Sequence, residues 1–576
     1  MKLILQLALF ALLSQGGPGA PATSVANPAA IEGRVITLGT GEPIASAGVE
    51  LIPAGGGQLR TYTAATTDDG KFVLANLPAG TYRLAAAHVG FVRSEYGQRG
   101  PNGTGSTITL TGGQRVADIQ VRLTETAAIS GRIVDRNGDP FPNVQVQALR
   151  YVYENGHRVL SSVKAMVADD VGEYRLYWLQ PGEYIVMAKP LRGALEDMLM
   201  MPIGDGMGFR PIQSVTGAPI VAPDDAASVP FFFPGTLSPE SATALRVKPG
   251  DDLRSINFAI LPVSARRVSG VIANIPANMP VPLEEGGSTF SFVRIGLTPR
   301  NPSPFDNESS PAGPGTSVDR KTGAFEIPGV IPGSYFLNAS LSVSGNNAIY
   351  LHAHFPIEVA NDDLKNISVS LEPDFNLSVH VAVEGQSAND PALNLAGLRI
   401  RIGSNSMAQP VQNQPGNFTF SRLRSVDDTV SVAQLPEGSY VKSIRLGQTN
   451  VLTDGLRIDR APDSPVEIVL GLNGGVLTGT VIGDASKPVD NANVVLVPET
   501  ANRQRPDLYR KVVSDAAGHF RITGIAPGDY TAFAWDDVAN GAWQNPEFLK
   551  PHEARGKAVH IEGGTVVDST VSVIAN

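Results

Sequence analysis

Asp68-Asp69-Gly70-Lys71-Phe72-Val73-Leu74-Ala75-Asn76-Leu77-Pro78-Ala79-Gly80-Thr81-Tyr82 decides the fold, because relatives of this stretch recur along the chain. An Asp-rich turn closed by Gly70 leads into a strand carrying Phe72 and Leu74, and a Pro/Gly turn leads into a second strand carrying Tyr82 and Leu84. The same grammar returns as Asp169-Asp170-Val171-Gly172-Glu173-Tyr174 with Leu179-Gln180-Pro181-Gly182-Glu183-Tyr184. It returns again as Gly323-Ala324-Phe325 with Ile331-Pro332-Gly333-Ser334-Tyr335, and as Asp515-Ala516-Ala517-Gly518-His519-Phe520 with Ala526-Pro527-Gly528-Asp529-Tyr530. In all four copies the first aromatic (Phe72, Tyr174, Phe325, Phe520) stands ten residues before the closing tyrosine (Tyr82, Tyr184, Tyr335, Tyr530). A tyrosine just beyond such a turn predicts a tyrosine corner, its hydroxyl bonded back to the main chain, so these eight residues are read as fold-defining.

Outward from each copy lie an opening and a closing strand. The openings are Ile31-Glu32-Gly33-Arg34-Val35, Ile129-Ser130-Gly131-Arg132-Ile133, Val268-Ser269-Gly270-Val271-Ile272 and Leu477-Thr478-Gly479-Thr480-Val481. The closings alternate at period two, as in Ile119-Gln120-Val121-Arg122-Leu123, giving one buried and one wet face. One further unit departs from the pattern. Ten residues after Phe418 stands Asp428, and the nearest Pro-Gly-Tyr match, ending at Tyr440, comes twelve residues later, which predicts an inserted hairpin or a different sheet edge. Units of about 90–140 residues are far longer than solenoid repeats, so each is expected to be a complete sandwich. The expected architecture is an all-β tandem array of about five small antiparallel Greek-key β-sandwiches. The expected boundaries are 27–124, 125–262 with a long insertion, 263–372, 373–471 and 472–576, after an export signal over 1–26.

Composition narrows the class. Gly and Pro number 60 and 44 without collagen periodicity, which fits many short turns between strands. A net charge of −10 with no basic run argues against non-specific nucleic-acid binding. The N-terminus has Lys2, an apolar run from Leu3 to Leu13 and a small-residue stretch, as an export signal does, and no later run is long enough to span a bilayer. The protein is therefore expected in the periplasm, at the cell surface or in the medium. With no cysteine, disulfide staples, thiol catalysis and Cys-based zinc sites are excluded.

The Gly-x-Val opening strand, the Asp-x-x-Gly-x-Phe/Tyr turn and the Leu-x-Pro-Gly-x-Tyr turn resemble the carboxypeptidase regulatory-like domain. That resemblance implies a transthyretin-like seven-stranded sandwich, similar also to starch-binding and collagen-adhesin B-type modules. With Glu95-Tyr96-Gly97-Gln98-Arg99-Gly100 and Phe232-Phe233-Pro234-Gly235-Thr236, the arrangement resembles multi-module exported proteins of acidobacterial type.

No enzyme, cofactor or metal is expected. A zinc peptidase would need a His-x-x-Glu pair with a distant His, which the chain lacks. His352 and His354, near Glu358, are read as two surface histidines, and the Asp-rich turns as turn chemistry rather than Ca²⁺ sites. The candidate ligand site is Trp535, Asp536, Trp543 and Phe548: flat indole faces flanked by a carboxylate suit a sugar ring. The expected partner is polysaccharide or a cell-surface protein. The alternative roles are an adhesin-like spacer or an accessory to outer-membrane transport.

Overall fold

Each Asp turn is closed by its own main chain. In the computed structural model, which describes residues 27–54, 60–142, 144–190, 199–203, 206–210, 229–261, 263–276, 291–300, 317–319, 321–343, 348–388, 390–403 and 406–575, Asp169 Oδ1 accepts from the amides of Val171 and Glu173 at 3.1 and 2.7 Å. Asp515 Oδ1 accepts likewise from Ala517 and His519 at 2.9 and 2.8 Å, and Asp319 Oδ1 from Lys321 at 2.8 Å. The glycine ending each turn is left-handed, with φ of +74° at Gly70, Gly172 and Gly323, +78° at Gly518 and +81° at Gly416 of the divergent unit. Its carbonyl accepts from the opening strand, through the amides of Val35, Ile133, Ile272, Val481 and Val381 at 2.7–2.9 Å. The turn is thereby fixed to the start of every repeat. The predicted export signal lies outside the described residues.

From the turn runs an aromatic strand: Lys71–Leu77, Glu173–Leu179, Ala324–Val330, Asn417–Leu423 and His519–Ile525. Each pairs antiparallel with its opening strand, respectively Ala29–Thr37, Ala127–Val134, Arg266–Ile272, Phe375–Val383 and Gly475–Ile482. Every one of these ladders carries a register shift. Beside it, the residue four beyond the aromatic is left-handed: Asn76, Trp178, Gly329, Arg422 and Gly524, with φ of 59°, 61°, 75°, 56° and 65°. This is a β-bulge kept in all five repeats.

On its other side the opening strand pairs in parallel with the closing strand, as Ala29–Thr37 with Arg115–Glu125 and Gly475–Ile482 with Val566–Ile574. The sandwiches are thus not wholly antiparallel: this first-to-last pair is parallel, and in the fifth repeat Gly528–Trp535 also meets Val566–Ile574 in parallel at Ala534↔Val573 and Trp535↔Ile574, which the alternating patterns did not reveal. In four of the repeats a glycine of the opening strand lies where the two backbones approach most closely. A Cβ on Gly33, Gly131, Gly270 or Gly479 would lie 2.2, 2.0, 2.0 or 1.8 Å from the carbonyl oxygen of Ile119, Ile256, Ile367 or Ser569. Each glycine sits opposite the first aromatic of the repeat, and at Gly479 the Phe520 ring lies 2.9 Å from where a Cβ would stand. In the divergent repeat Val379 takes this place opposite Phe418, and its parallel ladder to Val466–Gly471 runs without a register shift.

The second sheet pairs the tyrosine strands Gly80–Ala87, Gly182–Pro190, Gly333–Val343 and Gly528–Trp535 with Gly48–Pro53, Val144–Glu154, Ser291–Pro299 and Asn493–Pro498. Apolar residues of both sheets meet between them, as Ile129, Val146, Leu176 and Val186 do in the second repeat. In the divergent repeat Val430–Ala433 fills the tyrosine strand's place beside Arg399–Ile402, while Tyr440–Leu446 joins the other sheet beside Val466–Gly471. Of the two alternatives, a different edge is what forms. Tyr440 makes no corner; its ring, 8% exposed, packs with Leu477, Ile525 and Tyr530 of the fifth repeat.

Contacts divide the chain into two compact units. Among the described residues, those up to Val89 with 93–97 and 105–123 form one, and 90–92, 98–104 and those from Thr124 onward the other. Within the second unit the repeats share apolar residues: Ile331 packs against both the second and the third core. No described helix is long and apolar enough to cross a membrane, which says nothing about strands.

Candidate functional site

The four predicted corner tyrosines place their hydroxyls alike. Tyr82 donates to Pro78 O at 2.9 Å, Tyr184 to Gln180 O at 2.6 Å, Tyr335 to Ile331 O at 2.9 Å and Tyr530 to Ala526 O at 2.9 Å, each bond spanning the Pro/Gly turn. In the second repeat the first aromatic is itself a tyrosine, and Tyr174 donates to the Ile256 carbonyl that Gly131 makes room for, at 2.7 Å. Burial pushes the Tyr530 hydroxyl up to about 12, against the opposing pull of Arg510 and Arg505. It also raises Tyr184 and Tyr174. Because the folded state holds the proton more tightly, this stability is complete below pH ~10 and is lost as pH rises through about 12. Tyr530→Phe should cost about 1–2 kcal/mol in denaturant melts at pH 8 and should flatten the fall above pH ~10.

The four predicted sugar contacts do come together, but the rings turn inward. Along Gly528–Trp535, Tyr530, Ala532 and Ala534 face the sandwich core, and Phe533 and Trp535 face the opposite side of the sheet. The segment 541–555 folds over that side. Trp535 is 0% exposed, stacked on Phe533 at 5.2 Å and 18°, with Phe548 at 6.0 Å and the His552 ring edge-on at 5.9 Å. Trp543 is 6% exposed, with Lys511 Nζ 4.9 Å from its ring. Half-buried Asp536 accepts from the Asp537 amide at 2.8 Å. Half-buried Phe548 has its amide tied to Asn545 Oδ1 at 3.0 Å. An indole without exposed surface offers no face to a sugar, so the stacking role predicted for Trp535 and Trp543 is corrected to packing.

The same segment receives a second repeat. Tyr153, at the tip of a long hairpin, meets Phe548 edge-on at 5.9 Å and 64°, and Asn545 Nδ2 donates to Gly156 O at 2.8 Å. Gly541, at φ +79°, lies so close that a Cβ would stand 3.0 Å from Tyr153 O. The cluster is a clamp between the second and fifth repeats.

Other predicted sites resolve simply. His352 is 5% exposed and its Nδ1 lies 2.9 Å from Asp374 Oδ1, while His354 stacks on Phe336 at 4.4 Å with Nδ1 2.6 Å from Asn338 Oδ1. The reading as two surface histidines is therefore corrected for His352, whose partner lies 22 residues away. Lys71 and Thr67 hold the Asp69 carboxyl at about 2. Among the described residues no three His, Cys, Asp or Glu side chains group as metal ligands would.

Fold and site together define a protein of tandem all-β modules whose recurring residues serve the scaffold. Residues 30–124, in the first repeat, match the family model of the carboxypeptidase regulatory-like domain. No curated protein matches the sequence. Among solved structures the chain is similar to the Bacillus anthracis TIE protein, with 13% identity over 60% of this chain and 51% of that one, at a TM-score of 0.16. It is similar to a minor pilin of Streptococcus agalactiae, with 13% identity over 41% of this chain and 96% of that one, at 0.20. It is also similar to the major pilin subunit of Bacillus cereus, with 9% identity over 95% and 99%, at 0.14.

Proposed function

We propose that the protein is an exported, non-catalytic surface spacer whose second and fifth repeats are fixed to one another by a dedicated contact. The clamp carries this reading: a segment holding two of the buried aromatic rings, Trp543 and Phe548, packs against the hairpin around Tyr153 and Gly156. The residues repeated from module to module support it, since turn aspartates bond their own amides and corner tyrosines their own main chain. The leader-like N-terminus supports export. A Phe548→Ala/Asn545→Ala variant of the full chain tests it. The double change should leave far-UV circular dichroism unchanged, raise the radius of gyration in solution scattering and open the hairpin at 154–157 to protease. An unchanged scattering profile and digestion pattern would sink the fixed-spacer reading.

A further inference from the structure

Trp178, the third tryptophan, stands at the bulge position of its aromatic strand with φ 61°, where the other repeats carry Asn76, Gly329, Arg422 and Gly524. Asn and Gly tolerate the left-handed region, whereas a bulky aromatic is strained there. Packing does not recover that strain, because Trp178 remains 58% exposed. Such an outlier points to use rather than to folding.

Its surroundings give the use a chemistry. The Tyr177 ring meets the indole edge-on at 4.8 Å and 85°. Lys164 Nζ lies 4.2 Å from the Tyr177 ring centre and 5.2 Å from that of Trp178. Lys164 sits beside a second bulge: pairing passes from Ala148↔Lys164 to Leu149↔Ser162 and skips Val163. On the neighbouring strand Arg150 Nη1 reaches Gln180 Oε1 at 3.5 Å. Neither Lys164 nor Arg150 has an ion pair among the described residues. On a chain of net charge −10, an exposed indole beside an ammonium without an ion pair is a locally positive platform.

We propose that Trp178, Tyr177 and Lys164 form a binding site for a polysaccharide bearing uronic acids. The C–H face of a sugar ring stacks on the indole, and the carboxylate of the same or the next residue faces the Lys164 ammonium. Two rings with one cation make too small an apolar area for a protein interface core, which favours the glycan. This goes beyond the spacer reading and uses none of the clamp residues, so the two succeed or fail separately.

Intrinsic fluorescence of the full chain, titrated with polygalacturonate and with neutral dextran, provides the test. With Trp535 and Trp543 0% and 6% exposed, the ligand-dependent signal reports Trp178. Saturable change with polygalacturonate and little with dextran is expected. Binding followed by calorimetry should weaken at least tenfold in Trp178→Asn, and several-fold with a flatter salt dependence in Lys164→Gln. Trp178→Asn should also melt at a higher temperature than the parent, since asparagine suits the bulge, so lost binding cannot be ascribed to unfolding. No polygalacturonate binding by the parent, undiminished binding by Trp178→Asn, or equal affinity for dextran would overturn the assignment.

Discussion

Gly479→Ala is expected to destabilise the fifth repeat by about 3–5 kcal/mol. The new Cβ would lie 1.8 Å from the Ser569 carbonyl oxygen and 2.9 Å from the Phe520 ring. The first obstacle is backbone and has no rotamer to change. Relief requires the opening and closing strands to part, which sacrifices hydrogen bonds along a ladder that runs from Val476 to Ile482. Hydrogen exchange is the suitable measurement, because an array of modules does not unfold in two states. Amides of 475–482 and 566–574 should lose protection while those of the first repeat keep it. Gly39→Ala is the control: it has nothing within 4 Å and only its φ of +101° to strain, so it should cost about 1 kcal/mol.

Trp535→Ala should cost about 3–5 kcal/mol and should loosen the clamp as well as the sheet beneath it. The ring is enclosed by Phe533, Trp543, Leu549 and Ile574, and half-buried Tyr153 and Phe548 pack on the same cluster. Truncation therefore leaves a cavity shared by two repeats. Thermal melts followed at the tryptophan emission should shift downward, and protease should cut within 541–555. A variant that melts like the parent would mean that the segment covers the sheet without supporting it.

Much of this was legible because it is local. The spacing from Phe520 to Tyr530 fixes two strands and one turn, and tyrosine chemistry fixes where the hydroxyl goes, since Ala526 O is only four residues away. What stayed hidden depends on partners far along the chain. Alternation from Tyr530 places Trp535 on the face away from the core, which in isolation reads as exposed; the cover at 541–555 arrives only after the strand has ended. His352 was misread for the same reason, its buried carboxylate being supplied by the junction residue Asp374. Tyr440 had the right local grammar, but its strand joins the opposite sheet, so no corner forms. Trp178 was passed over because spacing from Tyr174 marks it as one residue of a strand and does not disclose the left-handed bulge.

The parallel pairing of first and last strand also sets how a repeat responds to pulling. The chain enters at one end of this ladder and leaves at the other, so tension applied to the two termini acts along the strands. In the fifth repeat it meets seven consecutive paired positions together, from Val476↔Val566 to Ile482↔Ser572. Rupture must then shear many hydrogen bonds at once, whereas a hairpin pulled from its open end would lose them one by one. A tether assembled from such units resists drag through the same close approach that forbids a side chain at Gly479.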